Sequence, residues 1–402
     1  MLNISEFIAS NITLRGKSMF ADDIEANKEK LHAEIANKSV LVIGGAGTIG
    51  SSFIRAVLKF KPSKLFVVDT SENGLTELTR DLRSTADTYV PENYVTYPIN
   101  FADTVFEKIF RNEGGFDIVA NFSAHKHVRS EKDLYSVEAL IKNNVMNARK
   151  LLNLLSEFPP KHFFCVSTDK AANPVNIMGA SKKIMEELIM AYSAKYPITT
   201  ARFANVAFSN GSLLDGFIQR LMKRQPLSAP NDVRRYFVSP GESGEICMLA
   251  CMLGKSGEIY FPKLQPEQML TFAEIGTAFL KNLGYKAVEC ETEETARQMA
   301  KRCSDSDSDY PVYYFASDTT GEKEYEEFFT DEEEVDLSEF HALGVIKNAP
   351  KRPITEIDAL FSSLSQLFQN NNSTKADIVA AMKAFLVNFN HEEKGKNLDS
   401  KM

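Results

Sequence analysis

Short runs of mostly apolar residues alternate with amphipathic stretches along the first half of the chain. The apolar runs cover residues 40–43, 65–68, 116–120 and 162–166. Between the last two runs, apolar side chains recur at helical spacing: Leu140, Ile141, Val145, Ala148 and Leu152. Strands that are apolar throughout are buried on both faces, and the helices between them supply the cover. The pattern therefore predicts an α/β fold with a parallel sheet between two layers of helices.

The alternation of apolar runs and amphipathic stretches stops on both sides of this region, which predicts additional domains or segments there. Residues 1–38 precede the first strand, and apolar Ile24, Leu31 and Ile35 predict a helical arm there. We assign residues 39–205 to the sheet domain, with later strands returning to it near 231–262. The pattern is irregular from residue 206, so 206–349 is predicted to be a smaller mixed substrate-binding region. Residues 350–402 are predicted to form a helical appendage and a polar tail.

A glycine-rich turn links the first predicted strand to a helix through Gly44, Gly47 and Gly50. The first glycine permits a tight turn, the second lets a pyrophosphate approach the backbone, and the third lets helix and strand pack closely. Thr48 and Ile49 lie between them, where a helix N-terminus offers amide N–H groups to phosphate. The turn predicts a dinucleotide site in a Rossmann-type, doubly wound sheet.

Asp69 ends the second predicted strand, 19 residues after Gly50. A carboxylate at this place can bind both ribose hydroxyls of the adenosine. No Arg or Lys follows Asp69 directly, so NAD is favoured over NADP. A P-loop is the alternative explanation for the glycines, but Ser51 stands where that motif requires Lys.

Composition narrows the class of protein further. The net charge of -8 over 402 residues argues against a general nucleic-acid binder, which shows a basic face. The five cysteines include no CxxC pair and no disulfide framework. No apolar run is long enough to span a bilayer, and the N-terminus does not have the pattern of a signal peptide. We expect a cytoplasmic protein with no membrane span and no bound metal.

A second group of polar residues follows the strand at 162–166. Ser167, Thr168, Asp169 and Lys170 come directly after it, and ligands of open α/β sheets bind beyond the carboxyl ends of the strands. Lys182 follows Lys170 by twelve residues, near the start of a predicted helix.

The run at 167–182, STDKAANPVNIMGASK, resembles the polysaccharide-biosynthesis branch of the extended short-chain dehydrogenase/reductases, which includes the N-acetylglucosamine 4,6-dehydratases. Short-chain dehydrogenases usually carry Tyr-x-x-x-Lys here, but Met178 takes the place of the Tyr before Lys182. Further matches lie at 124–128, 144–145, 202–206, 235–237, 257–263, 321–323 and 326–327. The resemblance covers roughly residues 38–335, and the whole chain is most similar to dehydratases of legionaminic-acid-type pathways.

The resemblance implies a reaction and roles for these residues. Bound NAD takes hydride from sugar carbon 4, water is eliminated across carbons 5 and 6, and hydride returns to carbon 6. Asp169 protonates the leaving hydroxyl, and Lys170 removes the carbon 5 proton. Asp169 must therefore hold a proton and Lys170 must be neutral. Because Met178 cannot accept the proton of the carbon 4 hydroxyl, we assign that task to Thr168, Lys182 and a water molecule.

The same resemblance implies the remaining contacts. Ser123, Ala124 and Lys182 join the glycine turn and Asp69 as expected cofactor contacts. The expected substrate contacts are Lys126, His127, Asn144, Arg202, Asn205, Ser212 and Arg235. The arginines suit a diphosphate because they grip phosphate with two parallel hydrogen bonds. His125 and His127 are too few ligands for a metal site.

Several alternatives stay open. A nucleotide-sugar 4-epimerase shares the fold, cofactor and substrate class, but it has no use for an adjacent acid and base that eliminate water. A non-catalytic NAD-binding regulatory protein would explain the missing Tyr. The nucleotide can be UDP or GDP. Relatives form dimers or larger rings, so a homo-oligomer is expected.

Overall fold

The computed structural model describes residues 3–127, 131–303, 307–317 and 323–391. The strands are β1 (Ser39–Ile43), β2 (Lys64–Val68), β3 (Asn93–Tyr97), β4 (Ile118–Asn121), β5 (His162–Val166), β6 (Ile198–Ala201), β7 (Asn205–Val206), β8 (Leu227–Pro230), β9 (Arg234–Arg235), β10 (Phe237–Val238), β11 (Glu258–Pro262), β12 (Leu270–Thr271), β13 (Lys286–Glu289), β14 (Asp309–Phe315), β15 (Val335–Asp336) and β16 (Leu343–Ile346).

The α-helices lie between these strands and at both ends of the chain. They are α1 (Ile4–Phe7), α2 (Ala21–Ala26), α3 (Lys28–Ile35), α4 (Thr48–Leu58), α5 (Glu72–Ser84), α6 (Thr104–Asn112), α7 (Leu134–Ile141), α8 (Asn147–Glu157), α9 (Ile177–Ala191), α10 (Leu213–Met222), α11 (Pro240–Leu253), α12 (Phe272–Asn282), α13 (Glu293–Arg302), α14 (Ile354–Gln369) and α15 (Lys375–Phe385). Short 3₁₀ turns cover Asp169–Ala171 and Pro266–Gln268, and π-helical turns cover Ile8–Ile12 and Lys142–Met146.

A nine-stranded sheet forms the centre of the described structure, with the order β15-β16-β11-β6-β5-β4-β1-β2-β3. Seven neighbouring strands pair in parallel, in the order β11, β6, β5, β4, β1, β2 and β3. At one edge of this sheet, β16 and β15 pair antiparallel. The central strands are apolar and buried along most of their length, as in Val40–Ile43 of β1. The predicted parallel α/β sheet is confirmed. It places the carboxyl ends of β1, β4 and β5 side by side, because these strands are neighbours.

The region after β6 contributes to more than one sheet. Strand β11 joins the central sheet beside β6, while β8, β14 and β13 form a separate three-stranded sheet. A second apolar core lies here, around Phe217 and Phe279. The domain boundaries stay a prediction.

The N-terminal arm is helical, and its helices α2 and α3 are separated at Asn27. Leu31 and Ile35 pack into the core of the central sheet, whereas Phe7 packs edge-on against Phe279 of the second core. The arm therefore connects the two cores.

The C-terminal appendage forms a helical pair, α14 and α15. Arg352, which precedes it, pairs with Glu187 of α9 and donates to the backbone oxygen of Phe385. The pair is thereby attached to the helix that carries Lys182. Within the described ranges, no helix combines the length and apolarity needed to cross a membrane.

Candidate active site

The glycine turn packs too closely to admit larger residues at two positions. Gly44 has φ of +75°, and a Cβ there would lie 2.7 Å from the backbone nitrogen of Ser123. A Cβ on Gly50 would lie 2.3 Å from the carbonyl oxygen of Gly44. A Cβ on Gly47 would lie 3.5 Å from its nearest neighbour, the carbonyl oxygen of Gly44. This glycine is therefore not needed for close packing, and it leaves open space beside the turn. Helix α4 starts directly after Gly47 without a side-chain cap, and its first amide groups stay available to a ligand.

A cavity of about 300 Å³ lies over this turn. Asp69 borders it at the end of β2, and its carboxylate accepts hydrogen bonds from the backbone nitrogens of Ala46 (3.0 Å) and Ser71 (2.9 Å). These bonds fix the carboxylate beside the turn. The structure brings together in this cavity all but one of the expected cofactor residues: Gly44, Gly47, Thr48, Ile49, Gly50, Asp69, Ser123 and Ala124. The other, Lys182, lies in the adjoining cavity.

A second cavity, of about 260 Å³, adjoins the first and shares Ile49, Phe122, Ala124 and Lys126 with it. Its lining combines apolar side chains with predicted site residues, namely Lys126, His127, Thr168, Lys170, Met178, Lys182, Asn205 and Ser212. Such a mixture suits a ligand that is held by shape and oriented by a few polar groups.

Asp169 is buried at the start of the 3₁₀ turn after β5, with 4% of its surface exposed. Its Oδ1 atom accepts hydrogen bonds from the Thr168 hydroxyl (2.8 Å) and the Lys170 backbone nitrogen (2.8 Å). The Lys170 ammonium lies 3.1 Å from the same oxygen. All three contacts end on Oδ1, and Asp169 lies behind Thr168 and Lys170, which line the second cavity.

The charge on Lys170 differs from our expectation. Burial lowers the pKa of Lys170, but the carboxylates of Asp169 and Glu326 outweigh burial, so the pKa is raised overall. Lys170 is therefore charged in the unliganded protein, and the predicted neutral amine requires a change in its surroundings. Arg235 acts with burial in lowering this pKa.

Lys182 occupies a different environment. Its ammonium donates to the carbonyl oxygen of Val166 at 2.6 Å. Burial lowers the pKa of Lys182, and the charges of Cys165 and Glu186 oppose that effect only in part. Burial thus makes the neutral form of Lys182 more accessible than that of an exposed lysine.

Helix α9 holds Met178 and Lys182 against the 3₁₀ turn Asp169–Ala171. The side chain of Asn176 caps the helix by accepting from the Gly179 nitrogen at 2.7 Å. A Cβ on Gly179 would lie 2.5 Å from the Lys170 carbonyl oxygen, so the helix packs directly on the turn. Glu131, a buried residue that sequence reasoning missed, accepts from the Met178 nitrogen at 2.8 Å.

Lys126 and His127 face the loop before α10. The Lys126 ammonium donates to the carbonyl oxygen of Asn210 at 3.1 Å, and the Asn210 nitrogen donates to the Thr48 hydroxyl at 2.9 Å. Burial lowers the pKa of Lys126. These contacts connect the glycine turn to the loop that bears Ser212, which caps α10.

Asn144 is corrected from a substrate contact to a positioning residue. Its side chain accepts from the His125 nitrogen (2.8 Å), donates to the His125 oxygen (3.0 Å) and donates to the Ser181 hydroxyl (3.1 Å). The helix predicted over 137–155 contains a π-helical turn here, Lys142–Met146. Such turns are frequent at functional sites, and this one bears the side chain that holds the loop of His125.

Arg202 is corrected from a phosphate contact to a buried ion-pair residue. Its side chain is fully buried and forms two hydrogen bonds to Glu186 (2.8 and 2.9 Å) and two to Glu333 (2.7 Å each). A fifth bond goes to the backbone oxygen of Phe328 at 3.0 Å. The guanidinium has no donor left to offer a diphosphate.

Arg235 is also buried, and one of its nitrogens donates to the carbonyl oxygens of Lys323 (3.0 Å) and Glu324 (3.2 Å). It lies beside Glu326, 3.8 Å away, rather than in the cavity with Ser212. Glu326 received no role from the sequence, although the pair Glu326-Glu327 belonged to the motifs that carried the resemblance. Gly321 and Glu322 of the neighbouring motif lie outside the described residues.

A family model described as "Polysaccharide biosynthesis protein" matches residues 40–348. The chain is 28% identical over 317 residues to an uncharacterized membrane protein of Methanocaldococcus jannaschii, covering 77% of this chain and 86% of that protein. It is 29% identical over 243 residues to the capsular polysaccharide biosynthesis protein CapD of Staphylococcus aureus, covering 60% of this chain but only 40% of CapD. Identity to a UDP-N-acetylglucosamine 4,6-dehydratase (inverting) of Campylobacter jejuni is 26% over 293 residues, which cover 70% of this chain and 83% of the relative.

Solved structures share the fold. The X-ray structure of Pen from Bacillus thuringiensis superposes with a TM-score of 0.63 at 20% identity, over 82% of this chain and 98% of Pen. A dTDP-glucose 4,6-dehydratase of Streptomyces venezuelae, the DesIV double mutant with NAD and DAU bound, gives a TM-score of 0.52 at 20% identity, over 69% of this chain and 88% of DesIV. The Rossmann-type fold predicted from the glycine turn is confirmed.

Proposed function

The chain belongs to the polysaccharide biosynthesis protein family, and from this premise we propose that it is a 4,6-dehydratase of nucleotide-activated N-acetylglucosamine. One observation carries the proposal: Asp169 and Lys170 lie side by side, with Lys170 lining the cavity that adjoins the dinucleotide site. Elimination of water needs an acid and a base close together. An epimerase needs a base only for the carbon 4 hydroxyl and has no use for a pair that eliminates water.

We propose NAD as the cofactor, because the first cavity fits a dinucleotide. The close packing at Gly44 and Gly50 leaves an open cradle at Gly47, next to the uncapped start of α4. Asp69 can bind the adenosine ribose, and Lys182 lines the adjoining second cavity. When bound, the dinucleotide supplies oxidation at sugar carbon 4 and later reduction at carbon 6, so it is regenerated in each turnover.

The proton of the carbon 4 hydroxyl needs an acceptor other than Met178. The Thr168 hydroxyl donates to Asp169 at 2.8 Å and can accept a hydrogen bond from the sugar at the same time. A proton taken from carbon 4 hydroxyl can therefore pass through Thr168 to Asp169. Lys182, whose neutral form is made more accessible by its lowered pKa, can assist through a water molecule.

This route also prepares the acid for the next step. Once Asp169 holds the proton, it can protonate the carbon 6 hydroxyl as that group leaves as water. Lys170 takes the proton from carbon 5, which the carbon 4 ketone has acidified, and returns a proton to carbon 5 after carbon 6 is reduced. Asp169 ends the turnover as a carboxylate, so the protons balance.

The nucleotide and the pathway are finer parts of the proposal. We propose UDP- or GDP-N-acetylglucosamine as substrate and a 4-keto-6-deoxy sugar for bacterial surface polysaccharides, of the legionaminic-acid type, as product. The apolar wall formed by Phe203, Phe237 and Phe272 gives the second cavity a surface for a sugar substituent. Homologues named as dehydratases of UDP-N-acetylglucosamine support the substrate class.

The test is mass spectrometry of the purified protein, supplied with NAD, after incubation with UDP- or GDP-N-acetylglucosamine. A product lighter by one water, formed without added reductant, supports the dehydratase and identifies the nucleotide. A product of unchanged mass with the opposite configuration at carbon 4 would establish the epimerase instead. Retained NAD with no product from either sugar would point to the regulatory alternative.

A further inference from the structure

Glu326 is a second carboxylate beside Lys170, and the proposed mechanism gives it no role. It is buried, with 5% of its surface exposed, and its Oε1 atom lies 3.5 Å from the Lys170 ammonium. Asp169 lies 3.1 Å from the same ammonium. Lys170 is therefore held between two carboxylates.

The backbone around Glu326 is fixed by two buried arginines. Arg202 donates to the carbonyl oxygen of Phe328 at 3.0 Å, and Arg235 donates to the carbonyl oxygens of Lys323 and Glu324 at 3.0 and 3.2 Å. These bonds lie on both sides of Glu326 in the chain. Its position beside Lys170 is thus determined by the surrounding structure rather than by a flexible surface contact.

Lys170 faces a problem that Glu326 can solve. The mechanism requires a neutral amine, yet the pKa of Lys170 is raised because the charges of Asp169 and Glu326 outweigh burial. Of the two charges, Asp169 has the larger effect, and its charge disappears when the carbon 4 proton reaches it. Burial disfavours the charged forms of both Lys170 and Glu326. Once Asp169 has lost its charge, burial is opposed less strongly, and the neutral form of Lys170 becomes easier to reach.

We propose that Glu326 is a positioning residue that acts through Lys170, by taking a proton from its ammonium before the elimination and returning it afterwards. This inference rests on the proposed function. In the cycle, Lys170 passes one proton to Glu326, takes the carbon 5 proton, gives a proton back to carbon 5, and finally recovers its own proton from Glu326. No proton has to enter from solvent or leave to it for Lys170 to act as a base.

The charged groups around the pair are consistent with this exchange. Burial raises the pKa of Glu326, and this effect persists after Asp169 has been protonated. Until then the charge of Asp169 also raises the pKa of Glu326. Lys170, Arg235 and Lys323 oppose these effects. A raised pKa makes Glu326 a better proton acceptor than an exposed glutamate.

The experiment compares how kcat depends on pH in the wild type and in Glu326→Gln, with NAD and the accepted nucleotide sugar. In the wild type the transfer is internal, so kcat stays flat around neutral pH. In Glu326→Gln, Lys170 must release its proton to solvent, so kcat falls at neutral pH and rises about tenfold per pH unit below the pKa of Lys170. The matched control is Glu324→Gln, an exposed carboxylate of the same segment, which we expect to follow the wild type.

A second readout isolates the base from the redox steps. The carbon 5 hydrogen of the purified keto product exchanges with D2O when Lys170 acts as a base, and this exchange should show the same contrast in pH dependence. If Glu326→Gln does not fold, Glu326→Ala takes its place. The small carboxylate formate should then restore both kcat and exchange at neutral pH.

The outcomes separate the two proposals. If the wild type dehydrates its substrate and the Glu326→Gln profile runs parallel to that of the wild type, or formate fails to rescue Glu326→Ala, the role of Glu326 is overturned and the proposed function stands. If the wild type forms no dehydrated product, the proposed function fails, and the role of Glu326 fails with it. A sloping profile in Glu326→Gln beside a flat one in Glu324→Gln supports the proposal.

Discussion

Replacing Arg202 with Met tests whether this arginine supports the fold or binds the substrate's diphosphate. The guanidinium is fully buried and makes hydrogen bonds to Glu186, Glu333 and the backbone oxygen of Phe328. Met has a similar length and no charge. The substitution therefore leaves two buried carboxylates without their main partner.

The expected cost follows from that loss. Removing one partner of a buried ion pair destabilises proteins by about 3–5 kcal/mol, because the remaining charge stays buried and uncompensated. For a chain of 402 residues we expect a fall in Tm of roughly 4–6 °C. Thermal denaturation followed by circular dichroism at neutral pH measures it.

Two further variants make the interpretation specific. Arg234→Met removes an exposed arginine one residue before Arg235 and should change stability by no more than about 0.5 kcal/mol. Adding Glu333→Gln to Arg202→Met removes one of the uncompensated charges, so the double variant should be more stable than additivity predicts. An Arg202→Met protein that melts like the wild type but shows at least a roughly tenfold higher KM for the nucleotide sugar would contradict our reasoning and restore the phosphate role.

Three other expectations concern the cofactor turn and the first proton transfer. Gly50→Ala places a Cβ 2.3 Å from the Gly44 oxygen and should weaken NAD binding by at least about tenfold in calorimetric titration, whereas Gly216→Ala, where a Cβ meets nothing within 4 Å, should bind normally. Because burial lowers the pKa of Lys182 and its neutral form assists the proton transfer through a water molecule, the single-turnover rate of NADH formation should rise with pH and level off below about pH 10.4, the usual pKa of lysine. A rate that is independent of pH would argue against that role. Thr168→Val should slow NADH formation by about 10²-fold while Thr168→Ser stays active, and an unimpaired Val variant would exclude the Thr168 relay.

The sequence could place the glycine turn beside Asp69 because the signals of both are local. Gly44, Gly50 and Asp69 act through the geometry of one strand–turn–helix unit and the strand that follows it. The order of these elements along the chain is enough to place them together at one edge of a parallel sheet. The same reason explains why the residues of the second cavity could be placed. Thr168 and Lys170 follow strand β5, and Lys182 lies in the first turns of helix α9.

The errors concern partners that lie far apart in the chain. Arg202 is a good phosphate ligand by residue type, but its partner Glu333 follows it by 131 positions, and only the folded structure brings them together. The amide of Asn144 is likewise used by the loop of His125 and by Ser181. Glu326 reaches Lys170 through a segment whose path no local pattern reveals. The charge of Lys170 could not be predicted for the same reason, because it depends on that distant carboxylate.

The most direct test of the proposed dehydration is to follow a deuterium atom placed on carbon 4 of the accepted nucleotide sugar. Dehydration with internal transfer of hydrogen predicts a product that is lighter by one water, carries this deuterium in its carbon 6 methyl group and, when formed in D2O, also takes up solvent deuterium at carbon 5. Deuterium that stays on carbon 4, in a product of unchanged formula and opposite configuration, would contradict the account and establish an epimerase.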